Sequence, residues 1–304
     1  MVRQAALLLL LVIGLTLPGA ATSATGPGPA TLRPACGLLH PRRPPAVYRH
    51  VITIVLENHS FADVAGRSPY LNRLAADCGL ADNYSAITRP SLPNYIAMTS
   101  GDTGGITNDC SNCSVPTSSI FAQVGPHGWH AYEESMPAAG FTGSSAGNYL
   151  KRHNPAAYYT NLAAAYAGNA VRMGTPTAGA LISALRANRL PRYSFVTPNV
   201  CNDEHDCSIS IGDRWLAQWV PQILASRSYK TGGTALFIVY DEGSPTDNHV
   251  YSVIASPSTR RGTVSHIAFT HYSLLKTQES MLGLPCLGHA CDSTTASMRR
   301  PFNL

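Results

Sequence analysis

Three apolar runs in this 304-residue chain end in side chains that can hold a cation or carry a proton. Val51 to Leu56 gives way to Glu57-Asn58, and Thr234 to Tyr240 gives way to Asp241-Glu242. Tyr193 to Thr197 leads into a loop bearing Asn199, Asn202, Asp203, His205 and Asp206. Carboxylates beside an amide are hard oxygen ligands, suited to a divalent metal ion whose identity the residues do not fix. A further group, Ser91, opens a short helix expected over residues 91–100, with Pro93 in its first turn and Gly101 at its end. A serine there either caps the helix or offers its hydroxyl as a nucleophile. Free N–H groups and the positive end of the helix dipole would serve the second role by holding a phosphate. Hydroxyl, carboxylates, amide and a histidine-rich loop together suit phosphoryl transfer. A Ser-His-Asp acyl hydrolase fits less well, because Ser91 lacks a Gly-x-Ser-x-Gly elbow and so much carboxylate opposes a developing oxyanion.

Distant segments must be brought together to make such a site. The nearly continuous apolar character of Val51 to Leu56 fits a strand covered on both faces, and open α/β sheets collect ligands at the carboxyl ends of their strands. The expectation is therefore an α/β fold with a mostly parallel central sheet sandwiched by helices. Helical spacing appears over 70–78 and 272–282, and Trp215, Leu216, Trp219, Val220, Ile223 and Leu224 form a stripe read as core contact. Residues 101–190, rich in Gly, Ser, Thr, Asn and Ala, read as an irregular lid region with helical pieces at 162–166 and 178–185. Within it Lys151-Arg152 reads as a solvated surface pair, and His153 stands out beside it. His249 and His271 are each balanced between a place in the site and an ordinary surface or capping role.

Arg3, the apolar run from Ala5 to Leu17 and the small residues after it read as a signal peptide over 1–24, which implies secretion. A Pro-rich linker is expected over 25–47 and a single domain over 48–304. The leader's apolar run is short for a transmembrane segment, and no later segment reaches the length of one. Eight cysteines in an exported chain favour disulfides, and Cys201 with Cys207 and Cys286 with Cys291 are spaced to close small loops. Cys110-x-x-Cys113 lacks the strand and helix of a redox motif. A net charge of +5 with 13% charged residues and no basic stripe argues against nucleic acid and fits anionic partners weakly.

Five ordered pieces carry a resemblance: Val55-Leu-Glu-Asn-His-Ser-Phe, Arg89-Pro-Ser-Leu-Pro-Asn-Tyr-Ile-Ala-Met-Thr-Ser-Gly, Lys151-Arg-His-Asn-Pro, Ser194-Phe-Val-Thr-Pro-Asn-Val-Cys-Asn-Asp-Glu-His-Asp and Val239-Tyr-Asp-Glu-Gly. The chain resembles the phosphoesterases of the alkaline phosphatase superfamily that include bacterial acid phosphatases and phospholipases C. It is most similar to small secreted acid phosphatases, among them phosphatidylinositol 3-phosphate phosphatases. The resemblance implies an alkaline phosphatase-like fold and a phosphoserine formed on Ser91, with Asn94 holding a phosphate oxygen. It implies metal ligation by Glu57, Asn58 and Asp241, with Glu242 as a further ligand or a supporting group. His205 would contact the phosphoryl group and protonate the leaving oxygen, His153 is a second candidate for that contact, and Asp206 would orient His205 or bind metal. The implied partner is a phosphorylated small molecule or phosphoinositide. A phosphodiesterase or phospholipase C using the same serine, and a catalytically silent binding protein, are the alternatives. Asn248 separates Asp247 from His249 where many relatives have adjacent Asp-His, and the long C-terminal extension of the larger phospholipases is missing from this sequence.

Overall fold

The computed structural model describes Met1, Cys36 and residues 43–304, so the expected leader and most of the expected linker lie outside the described residues. Its frame is an eight-stranded sheet. The strands are β1 (His50–Leu56), β2 (Gly79–Ala81), β3 (Trp129–Glu133), β4 (Ala170–Arg172), β5 (Tyr193–Thr197), β6 (Thr234–Tyr240), β7 (Ser252–Ala255) and β8 (Thr263–Ser265). Their spatial order is β8-β2-β7-β6-β1-β5-β3-β4, and only β7 runs against the rest. The long apolar runs occupy the middle, where burial on both faces rewards unbroken hydrophobicity. β5 and β6 are buried along their whole length, and β1 everywhere but His50.

Four helices matter for the site: α1 (Pro69–Asp77), α2 (Ser91–Ser100), α3 (Ile209–Ala225) and α4 (His271–Leu282). α1 packs on α3, and α2 packs on α4. The Trp215–Leu224 stripe is buried on α3, as core contact requires. α2 spans the expected range and buries all ten of its residues, so its sequence has to satisfy packing on every side. Gly101 ends it in the left-handed conformation at φ 80°, and a Cβ there would run into the Leu287 carbonyl.

The segment 101–190 is more than a lid. It contributes β3 and β4 to the sheet edge beside β5. Short length and the polar His130 and Glu133 hide β3 from periodicity, although it pairs on both sides and buries four of its five residues. The helical pieces fall at Ala163–Asn169 and Ala180–Arg186. Four disulfides are present, Cys36–Cys78, Cys110–Cys113, Cys201–Cys207 and Cys286–Cys291, including both local pairs expected from spacing.

Candidate active site

The order β6-β1-β5 sets three neighbouring strand ends side by side. Leu56 pairs with Tyr240 at the end of β1, so Glu57-Asn58 and Asp241-Glu242 emerge together. The Asp241 N–H donates to Leu56 O at 2.9 Å, and the Asn58 N–H donates to Asp241 Oδ1 at 3.2 Å. Asn58 turns the chain with φ 60°, a left-handed conformation that asparagine tolerates better than most residues. The β5 loop joins from the other side, where the Glu57 N–H donates to Asp203 O at 2.8 Å. The Cys201–Cys207 bridge closes that loop around Asp203, His205 and Asp206.

Ser91 lies at the first turn of α2 and is 2% exposed. Pro90 takes the cap position and Ser91 is the first helical residue; Ser91 Oγ–H donates to Glu57 Oε2 at 3.0 Å. The commoner role for a serine at a helix start is therefore not the one adopted here. Tyr95, one turn on, donates its phenol to Glu57 Oε1 and stacks on His153 with ring centroids 5.5 Å apart. His153 Nδ1 lies 3.0 Å from Asp203 Oδ2, and its Nε2 lies 3.4 Å from Glu57 Oε1. With its proton on Nδ1, donated to Asp203, the imidazole turns the bare lone pair of Nε2 toward a carboxylate oxygen, and two acceptors face one another.

Charge is concentrated here with little water to screen it. Burial, then the neighbouring Asp241 and Asp203 carboxylates, holds Glu57 well above the usual carboxylate range. Burial also lifts Asp203, Asp241 and Glu242, and it drives His153 well below the usual imidazole range. Asn58 Oδ1, Asp241 Oδ2, Glu242 Oε2 and His153 Nε2 are all buried without a hydrogen-bond partner. Orphaned acceptors and mutually repelling carboxylates are what a cation relieves, so the donor set fits a metal ion. Glu57, His153 and His205 also each offer a ligand atom, all within 4.8 Å of one another.

His205 and Asp206 sit nearer the surface. His205 Nδ1 is 2.6 Å from Asp206 Oδ1, while its Nε2 accepts from Arg152 at 3.1 Å. Asp206 is thus placed to orient His205. Asn94, to which the resemblance assigns a phosphate oxygen, makes four hydrogen bonds to the preceding loop. Its Oδ1 accepts from the Ile87 and Thr88 N–H groups at 3.0 and 3.1 Å. Its Nδ2 donates to Thr88 O and Pro90 O at 2.9 and 3.2 Å. All four positions of the amide shape the turn that presents Ser91. His271 is buried behind the site, with Nε2 2.6 Å from Asp241 O and Nδ1 3.0 Å from the Tyr84 hydroxyl. His249 points away, stacked on Phe61 with Nε2 2.7 Å from Asp82 O.

Sequence reading passed over four contributors. Tyr95 drew no reading of its own, and Arg152 read as half of a surface pair. Arg89 anchors the loop after β6, donating to Gly243 O at 2.8 Å and Asp247 O at 3.1 Å as well as to Ser244 O. Asp109 Oδ1 accepts the Leu92 N–H at 3.0 Å. Arg89 and Tyr95 fall inside the motif around Ser91, where nothing about their residue types singles them out; Asp109 carries no local signal.

A parallel sheet with a serine on a buried helix start, opposed by carboxylates from adjacent strand ends, defines the class: the chain belongs to the Phosphoesterase family, whose model matches residues 65–285. Among individual relatives, it is 31% identical over 252 residues to a phosphatidylinositol-3-phosphatase of Mycobacterium tuberculosis, covering 81% of each chain. It is 30% identical over 257 residues to an acid phosphatase of Aspergillus fumigatus and 32% identical over 251 residues to a phosphate-repressible acid phosphatase of Penicillium chrysogenum. Those matches take in 79% and 78% of this chain but only 56% and 60% of the two fungal proteins. The fold is that of the alkaline phosphatase superfamily. A superfamily protein from Vibrio parahaemolyticus aligns with a TM-score of 0.55 at 11% identity, over 86% of this chain and 73% of that one. The lipoteichoic acid synthase LtaP of Listeria monocytogenes aligns at 0.53 and 10% identity, over 83% and 74%.

Proposed function

We propose that this chain is a secreted, metal-assisted phosphatase that hydrolyses phosphomonoesters through a phosphoserine on Ser91, with phosphoinositides among its candidate substrates. The observation that carries the reading is the Ser91 hydroxyl, one residue past the helix cap and held 3.0 Å from Glu57 beside the buried, unpartnered oxygens of Asn58 and Asp241. Glu57, Asn58 and Asp241 would hold the metal ion, with Glu242 next to them. A bound cation would supply positive charge to the terminal phosphate oxygens and favour the ionised serine. The protein's own parts do the rest. Glu57 aims the hydroxyl, and Asp206 holds the His205 ring at the mouth of the site. The relatives' names, acid phosphatase and phosphatidylinositol-3-phosphatase, support the substrate class. Four disulfides support an oxidising destination.

A chromogenic phosphomonoester, a phosphodiester and phosphatidylcholine, offered to the metal-loaded protein, test the reading. Turnover of the monoester, loss of at least about 1,000-fold in Ser91→Ala with an unchanged melting profile, and a phosphorylated Ser91 peptide after acid quench are expected. Preference for the diester or the lipid would replace the reading by a phosphodiesterase using the same serine. Binding without turnover would identify a silent binding protein.

A further inference from the structure

The pair Lys151-Arg152 divides on folding. Lys151 turns outward, with Nζ donating to Ser111 O at 2.9 Å and lying over the Tyr158 ring at 4.6 Å. Arg152 turns inward, with only 25% of its side chain exposed. One of its terminal nitrogens donates to His205 Nε2 at 3.1 Å. Its Nε is 3.6 Å from Asp109 Oδ2 and is buried with no hydrogen-bond partner. Asp109 in turn accepts the N–H of Leu92, the residue after Ser91, at 3.0 Å. A guanidinium is thus tethered between the imidazole at the mouth of the site and the first turn of the nucleophile's helix, with a donor to spare.

We propose that Arg152 is a phosphate clamp that selects phosphomonoesters over phosphodiesters, an inference that rests on the phosphatase reading of the same site. A phosphomonoester near neutral pH carries between one and two negative charges and three terminal oxygens. A His205 ring nitrogen lies within 4.8 Å of a Glu57 oxygen and Arg152 lies 3.1 Å from His205, so oxygens of a phosphate at Ser91 that the metal does not take would face this pair. A diester has one charge and two terminal oxygens, and an ester carbon stands where the clamp would bond. The guanidinium fork suits two oxygens at once, with Nε–H and a terminal N–H side by side. Asp109 opposes the anion's charge, so the clamp works chiefly by direction. Asp109 is the positioning residue that keeps the fork at the start of α2.

The test compares the metal-loaded wild type with Arg152→Ala and Arg152→Lys on p-nitrophenyl phosphate and bis(p-nitrophenyl) phosphate, with inorganic phosphate as competitive inhibitor. Arg152→Ala is expected to lower kcat/KM for the monoester about 10- to 100-fold, as loss of charged hydrogen bonds does, and to raise the phosphate inhibition constant in parallel. The diester rate should fall by less than about 3-fold, the scale of a lost long-range charge. Arg152→Lys keeps the charge, loses the fork and should recover only part of the monoester rate, and it serves alone if the alanine variant does not fold. Equal losses on both esters, an unchanged monoester rate, or full recovery by lysine would overturn the clamp. A wild type idle on both esters would sink the phosphatase reading and the clamp together; a working wild type whose ester preference survives both substitutions sinks the clamp alone.

Discussion

Glu57 collects more of the site than any other residue: the Ser91 hydroxyl and the Tyr95 phenol donate to it, and His153 faces it. A buried carboxylate deprived of one donor costs free energy because no water replaces the bond. Tyr95→Phe is therefore expected to lower stability by about 1–3 kcal/mol, read from denaturant midpoints, and to slow turnover. An unchanged midpoint and rate would mean that the phenol is idle. Ser91, Glu57 and Asp241 could be picked out of the sequence because each directly follows a strong local signal, a helix start or a strand end. Tyr95 and Arg152 could not. An aromatic on a buried helix and a cation beside another cation have commoner uses, and Arg152 meets His205 only after the chain has folded across 53 residues.

At the scale of elements, what the sequence revealed tracks how much apolar surface each element must bury. β1, β5 and β6 are central and declare themselves, as does the Trp215–Leu224 face of α3. β4 is the edge strand, and its Ala170–Arg172 offers only three residues, too few for any period to register. The helix bearing Ser91 was marked by its punctuation, Pro93 and Gly101, more than by its hydrophobicity. That punctuation is testable. Gly101→Ala combines a left-handed residue with a Cβ against the Leu287 carbonyl, whereas Gly105→Ala has φ 75° and open space around the new carbon. The conformational cost of about 1–2 kcal/mol should appear in both, and thermal melts should show a further loss only at 101. Equal melting temperatures would mean that the α2 terminus yields to the added methyl.

The molecule as a whole also responds to pH through groups remote from the serine. Glu279, on α4, is buried, and burial pushes its carboxyl up to about 8, against smaller opposing pulls from the Leu287 backbone and Gln123. Raised in the fold above its value of 4.5 in the unfolded chain, it supports stability fully below that lower value. It gives that support up as pH rises toward 8. Glu279→Gln keeps the shape without the titration, so its melting temperature should fall less than the wild type's between the two values; parallel curves would remove Glu279 as the cause. None of this could be read in advance, since a lone glutamate on a helix looks like an exposed one until its neighbours are known. The buried α2 has another consequence, for traffic. A hydroxyl on a helix enclosed on every side does no searching, so under the proposed function the ester would have to make the whole journey. Only its narrow phosphoryl end would reach the serine, and whatever hangs behind the bridging oxygen, a sugar, a ring or a lipid, would stay at the door.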